Sequence, residues 1–220
     1  MDWTALRISI QVALTATALA VLVGTPLALA LARARGRWRE AAGALVLAPM
    51  VLPPTVLGYY LLLAVGRGSW VGGALESLFG ASLVFTWAGA ALAAFVAATP
   101  FLVRTAQAGF ESVDPAYAEA ARTLGRGEAS IFLTITLPLA WRPVAAGTAL
   151  ALARALGEFG ATVMVAGSIP GHTQTMALAV YEAVQQGRAS DAQALALTLT
   201  LVGVGLLTAV GIASRRVAHR

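Results

Sequence analysis

The chain contains no cysteine and no lysine, and it carries little charge of either sign. Without cysteine, disulfides and thiol chemistry are excluded. Without lysine, a phosphate-binding P-loop is excluded too, because that loop needs its Lys to reach the β- and γ-phosphates. If ATP drives this protein, another polypeptide hydrolyses it. The two histidines, His172 and His219, lie too far apart in sequence to suggest a metal-ligand cluster. Charged residues make up 11% of the 220 positions, against about a quarter in an ordinary soluble domain. The chain is therefore expected to have no catalytic, cofactor-binding or metal-binding residues of its own.

What fills the space is apolar. Hydrophobic residues account for 59% of the chain, and the mean hydropathy is +0.79. The few charges are concentrated in gaps between long apolar runs, the pattern of a polytopic membrane protein. Runs at 8–31, 41–65, 82–103, 144–169 and 192–214 each meet the roughly 20 residues a helix needs to cross a bilayer core. Only the fourth contains charges, Arg154 and Glu158. The expected architecture is an all-α integral membrane bundle of five transmembrane helices. It forms one domain over residues 1–220, with a polar inner loop at 104–142.

Arginine placement orients the bundle. Arg33, Arg35, Arg37 and Arg39 follow the first run, Arg104, Arg122, Arg126 and Arg142 follow the third, and Arg215, Arg216 and Arg220 follow the fifth. All of these fall on one side, whereas the other side holds Arg7, Arg67 and Arg188. The positive-inside rule then puts the N-terminus outside and the C-terminus in the cytoplasm. The net charge of +5 is a consequence of this topology and does not signal nucleic acid. The first run is too long for a signal peptide's apolar region and its basic cluster follows it, so it reads as a retained helix.

The inner loop carries clear helix punctuation. Asp114 suits an N-cap, Pro115 the first helical position and Gly125 the residue just past the end. Tyr117, Ala120, Ala121 and Leu124 form one apolar stripe at helical spacing, while Glu119 and Arg122 can pair across a turn. Small alanines let a helix backbone sit closely in a partner's groove. The series Glu119-Ala120-Ala121, then Gly125, then Ile135, Leu137 and Pro138 has the spacing E-A-A-x3-G-x9-I-x-L-P. This resembles the cytoplasmic coupling loop of ABC importer permeases, where a separate ATPase grips the membrane subunit.

Other segments extend the resemblance over almost the whole chain. They are Leu52-Pro53-Pro54-Thr55-Val56-Leu57-Gly58-Tyr59-Tyr60-Leu61-Leu62, Phe85-Thr86-Trp87-Ala88-Gly89-Ala90, and Ala155-Leu156-Gly157-Glu158-Phe159-Gly160-Ala161-Thr162 running on to Gly167-Ser168-Ile169-Pro170-Gly171. Together they are similar to the membrane subunit of bacterial molybdate ABC transporters. Gly-Glu-Phe-Gly is shared with sulfate permeases, so it speaks for oxyanions generally. The resemblance implies the type I importer permease fold in a bacterial cytoplasmic membrane, with a sixth crossing in some relatives. It also implies a homodimer, two cytoplasmic ABC ATPase subunits that hold ATP and Mg, and an extracytoplasmic oxyanion-binding protein. Glu119, Ala120, Ala121, Leu124, Gly125, Ile135, Leu137 and Pro138 are then the ATPase-coupling residues.

Arg154, Glu158, Phe159, Pro53, Pro54 and Thr55 are candidates for the pathway or its gate. Arg154 and Glu158, at i and i+4 inside an apolar run, can neutralise each other. They read either as cavity-lining groups or as a structural ion pair, with Arg154 alternatively snorkelling inwards. Proline inside a run kinks a helix, as expected at Pro26, Pro49, Pro53, Pro54 and Pro100. Gly89, Ala93 and Ala97 at four-residue spacing suit a close intrachain helix seam. The outer surface would consist of 66–81 and 171–191, the latter with a short helix at 174–185, and Trp70 and Tyr181 suit interfacial anchors. Two other classes remain on the sequence: an ion-driven secondary transporter, for which Glu158 alone is poor equipment, and a scaffold, which needs no coupling loop. Sulfate, thiosulfate and tungstate are the competing substrates within the ABC class.

Overall fold

The computed structural model describes residues 3–80 and 82–217, with every side chain in them except those at 75, 78, 79 and 213–217. Ala81, His219 and Arg220, and the side chains of Arg215 and Arg216, lie outside the described residues. The described chain is helical, without strands. The helices are α1 (Trp3–Leu19), α2 (Thr25–Arg33), α3 (Arg37–Val51), α4 (Pro54–Val65), α5 (Trp70–Phe79), α6 (Trp87–Glu111) and α7 (Pro115–Thr123). They continue with α8 (Glu128–Ile131), α9 (Leu137–Leu139), α10 (Trp141–Leu156), α11 (Gly160–Ala166), α12 (Met176–Gln185) and α13 (Ala189–Val217).

Helix α6 is the central post. Its Ala90, Ala91, Ala94, Ala98 and Leu102 form a core with Ile8, Val12, Ala13 and Ala16 of α1 and with Ala151, Leu152 and Ala155 of α10. Side chains this small let helix axes approach closely, which is how helices associate when lipid is as apolar as their own surface. Gly89, Ala93 and Ala97 are buried in α6, and the two alanines pack on Leu57 of α4 and on Ala161 and Val165 of α11. The seam lies within the chain.

Proline leaves its mark in two ways. Two π-helical turns, Ala20–Gly24 and Phe132–Thr136, each end two residues before a proline, Pro26 and Pro138. The proline ring crowds the carbonyl four residues back and donates nothing to it, and a widened turn relieves that conflict. Elsewhere the helix gives way. Leu52 precedes Pro53 and Pro53 precedes Pro54, so both are driven out of helical geometry. Their ψ values of 137° and 136° are extended. The run expected as one helix at 41–65 is therefore two, α3 and α4, bent by 114°.

Three helices are long and apolar enough to cross a membrane unaided: Trp3–Arg33, Trp87–Glu111 and Ala189–Ile212. Counting α3 with α4, and α8–α9 with α10 (bent by 79°), gives five crossings by length and composition. The protein is a multi-pass membrane protein. The boundaries differ from the apolar runs in three places. The run 82–103 becomes a helix only at Trp87, where Thr86 caps the backbone N–H of Gly89 at 3.2 Å, and it continues to Glu111, so the inner loop starts later than 104. The run 144–169 is interrupted at Gly157–Phe159. The segment 66–81 holds a further helix, α5, capped by Ser69 through the N–H of Gly72 at 2.8 Å.

Candidate functional site

The first site is built around α7. Asp114 accepts a hydrogen bond from the N–H of Ala116 at 2.9 Å, Pro115 opens the helix, and Gly125 follows it at φ +75°. Beyond the helix end the Gly125 N–H donates to the Arg122 carbonyl (2.9 Å) and the Arg126 N–H to that of Ala121 (3.1 Å). This is the paired 5→2 and 6→1 closure that needs a left-handed residue, a conformation glycine adopts without the Cβ penalty.

The apolar stripe does not turn into the chain's own core. Ala121 is buried, but Tyr117 is 58% exposed and Leu124 82% exposed, and Ala120 is exposed as well. The expected Glu119–Arg122 pair is also not what forms. Arg122 binds Glu128 of α8 at 2.6 Å, and the other oxygen of Glu128 accepts from Arg33 of α2 at 2.9 Å. One carboxylate thus ties α7 to α2. The hydrogen bond from Arg122 leads the causes that hold the Glu128 carboxyl below its usual range, and the same bond holds the Arg122 guanidinium above its own. A cavity of about 490 Å³ beside α7 is lined by Arg33, Arg35, Arg39, Asp114, Glu119 and Arg122 among others. Ile135 and Leu137 are half-buried in the turn behind it and Pro138 is exposed.

The second site is the pair of breaks. Helix α4 packs along α11, and a methyl placed on Gly160 would fall 2.6 Å from Pro54 Cβ and 3.1 Å from the Thr55 nitrogen. Pro54, Thr55 and Gly160 therefore come together, with Pro53 exposed at the joint, while the Phe159 ring lies against Tyr181. Glu158, 2% exposed, accepts from the N–H of Ala161 at 2.7 Å through Oε1 and so caps α11. Its Oε2 lies 2.6 Å from Arg154 Nη1, a charge contact and not an aligned hydrogen bond. The two do not share one helical face, because α10 stops at Leu156. Arg154 sits in the last turn of α10, where the helix dipole favours a cation. Arg154 and Glu158 are thus paired in this structure, a contact compatible with either a structural or a gating role.

Around the loop between α11 and α12 the structure adds contacts that sequence reasoning did not assign. Phe85 has φ +61°, a left-handed geometry that costs a side-chain-bearing residue about 1–3 kcal/mol. Its N–H donates to the Val165 carbonyl at 3.1 Å, and its ring lies against Gly167, itself at φ +66°. No sequence signal marks a phenylalanine for positive φ. Glu182 of α12 holds Ser168 with one carboxylate oxygen and the Gln174 amide with the other, the latter at 2.7 Å. A lone acid in an otherwise uncharged helix was the signal available. Tyr181 meets the Phe159 ring with centroids 4.9 Å apart, so it does more than face an interface; Trp70 is 88% exposed.

The described chain thus combines a capped helix that exposes an apolar stripe with membrane-type helices that are broken at two joints. Residues 20–220 match the family described as the binding-protein-dependent transport system inner membrane component, and the chain belongs to that family. It is 37% identical over 208 residues to the molybdenum transport system permease protein ModB of Escherichia coli K12, covering 94% of this chain and 91% of that one. It is 39% identical over 162 residues to the sulfate transport system permease protein CysW of Synechococcus elongatus, covering 74% and 56%. Its fold matches that of a chain in the inward-facing MetNI methionine ABC transporter, with a TM-score of 0.77 at 16% identity over 99% of this chain and 97% of that one. The fold is that of an ABC importer permease.

Proposed function

We propose that this chain is the translocating subunit of an ATP-driven molybdate importer and works by alternating access. The carrying observation is α7: a helix capped at both ends, pinned to α2 through Glu128, yet presenting Tyr117, Ala120 and Leu124 outward with nothing among the described residues to cover them. Such a face fits a groove on another protein. The chain has no lysine for a P-loop, so in an ATP-driven importer that protein would be the ATPase that holds ATP and Mg. Glu119, Ala120, Ala121, Leu124 and Gly125 form the contact, and Ile135, Leu137 and Pro138 support it from behind.

The subunit works as a homodimer in the bacterial cytoplasmic membrane with two ATPases, its N-terminus outside and its C-terminus in the cytoplasm. Helix α3 has no buried residue and the apolar window of α13 is 0% buried, so both have surface free for a second copy or for lipid. Nucleotide binding draws the ATPases together and moves α7. The spans swing, and the joints at Leu52–Pro53 and Gly157–Phe159 let α4 and α11 part on the outer side. An extracytoplasmic binding protein delivers the oxyanion, and hydrolysis resets the cavity inward. The chain makes and breaks no covalent bond; it supplies an equilibrium that its partners bias.

Molybdate is favoured over sulfate because the molybdenum relative matches over nearly the whole of both chains, whereas the sulfate relative is matched over 56% of its length. The test is uptake of molybdate by proteoliposomes holding the permease, its ATPase and its binding protein, with and without competing sulfate. Accumulation that needs ATP and resists a sulfate excess is expected. Accumulation without any ATPase subunit would overturn the reading, and preferential sulfate uptake would move the protein to the sulfate class.

A further inference from the structure

Phe159 stands on a joint that helix geometry does not govern. The residues Gly157–Phe159 separate α10 from α11, and Phe159 itself has φ −131° and ψ −58°. Its ring is half-buried and stacks at a tilt on Tyr181 of α12, with centroids 4.9 Å apart. The next residue, Glu182, is fixed to the loop between α11 and α12 at both ends: Ser168 donates to one carboxylate oxygen and the Gln174 amide to the other. Between those anchors the loop projects Ile169, 40% exposed, and then Pro170, Gly171 and His172, all exposed, with Gly171 at φ +80°. The loop begins at Gly167, where the strained Phe85 ring rests. Strain held in one exposed corner, and a carboxylate spent on two loop contacts, are costs that a passive surface turn does not require.

We infer that Tyr181 is a positioning residue that ties the conformation of the outer loop at 167–174 to Phe159 at the helix break. A substrate-loaded binding protein seated on Ile169–His172 displaces Ser168 and Gln174. Glu182 follows them, Tyr181 moves with it, and Phe159 loses its ring partner. The joint is then free to change shape, and α11 can part from α4. Phe85 keeps the loop's first residue in register while the rest moves. This inference rests on the transport reading above and specifies how the outer partner acts on the gate.

Two measurements test it. In proteoliposomes with ATPase and binding protein, the ratio of stimulated to basal ATP hydrolysis is compared for wild type, Tyr181→Ala and Tyr181→Phe. The alanine variant should bring the ratio down about tenfold, while the phenylalanine variant, which keeps the ring, should stay within about twofold of wild type. The second uses the cysteine-free background. A single Gly157→Cys is sterically tolerated, since its Cβ would meet nothing closer than 3.6 Å. Its labelling by a membrane-impermeant maleimide in vesicles reports on the joint without any partner present. Adding Tyr181→Ala should raise the labelling rate about tenfold, and Tyr181→Phe should not. A wild-type assembly that ignores loaded binding protein would refute the transport reading. Stimulation in wild type, with an unchanged ratio and unchanged labelling in Tyr181→Ala, would refute the link alone.

Discussion

Gly58 offers the sharpest test of how α4 and α11 are joined. It lies in the first half of α4, and a methyl group there would sit 2.7 Å from Met164 Cβ, 2.8 Å from Ala161 Cα and 3.1 Å from the Ala161 carbonyl oxygen. These are atoms at or next to the α11 backbone, not the tips of flexible side chains, so no rotamer change relieves them. In Gly58→Ala the two helices must separate until the contacts reach the 3.4 Å at which ordinary packing begins. Overpacking of this kind costs about 1–3 kcal/mol. Replacing a mid-helix glycine by alanine returns about 0.5–1 kcal/mol through backbone entropy. Gly43→Ala in α3 isolates that second effect, because its methyl would meet nothing within 4 Å. The difference between the two variants is then the clash itself, worth about 2–12 °C in apparent Tm for a chain of this size. Thermal unfolding of both purified variants in the same detergent or nanodisc measures it. A Gly58→Ala protein as stable as Gly43→Ala would mean that the seam is not packed as described, and the account of the gate would fall with it.

Three further outcomes are expected. Leu124→Asp puts a charge on the exposed stripe without touching the chain's own core, so it should leave the permease folded while weakening co-purification of the ATPase at least tenfold; unchanged co-purification would remove α7 from the coupling role. Glu158→Gln keeps an oxygen for the Ala161 N–H but leaves Arg154 without its counter-charge, so uptake should drop while the fold is retained; full ATP-coupled uptake would exclude a gating role for the pair. The Glu128 hub should respond to acid in one direction. Because the folded carboxyl is held below its usual value of 4.5, its stabilising effect is complete above that value and is lost as pH falls through the lowered one. Protease resistance of the α7–α8 loop should therefore be flat through neutral pH and fail only in acid, with Glu128→Gln lowering it at neutral pH too.

The parts of this molecule that follow from local rules were legible in the sequence. Apolar length marked the membrane-crossing segments, and Asp114, Pro115 and Gly125 marked α7, because caps and span lengths depend on a few neighbouring residues. The breaks were harder to read. Pro53-Pro54 announced a kink, but a bend of 114° depends on what α4 packs against, namely Gly160 and Ala161 about a hundred positions away. Gly157–Phe159 carries no proline at all. The Arg33–Glu128–Arg122 hub joins residues up to 95 positions apart, and the nearer Glu119 lost Arg122 to Glu128. The exposed stripe of α7 was read correctly as apolar, yet only the structure shows that just Ala121 turns inward. Phe85 and Glu182 act through contacts with the 167–174 loop that no periodicity reveals.

The lack of any buried residue in α3 bears on how the protein assembles. Arg39 ties that helix to Glu111 of α6 and Val46 packs on the core beside it, yet Trp38 and Leu45 stay 84% and 76% exposed. If the proposed second copy docks there, it would gain apolar contact without disturbing the core of either subunit, so pairing would need no refolding of the partners.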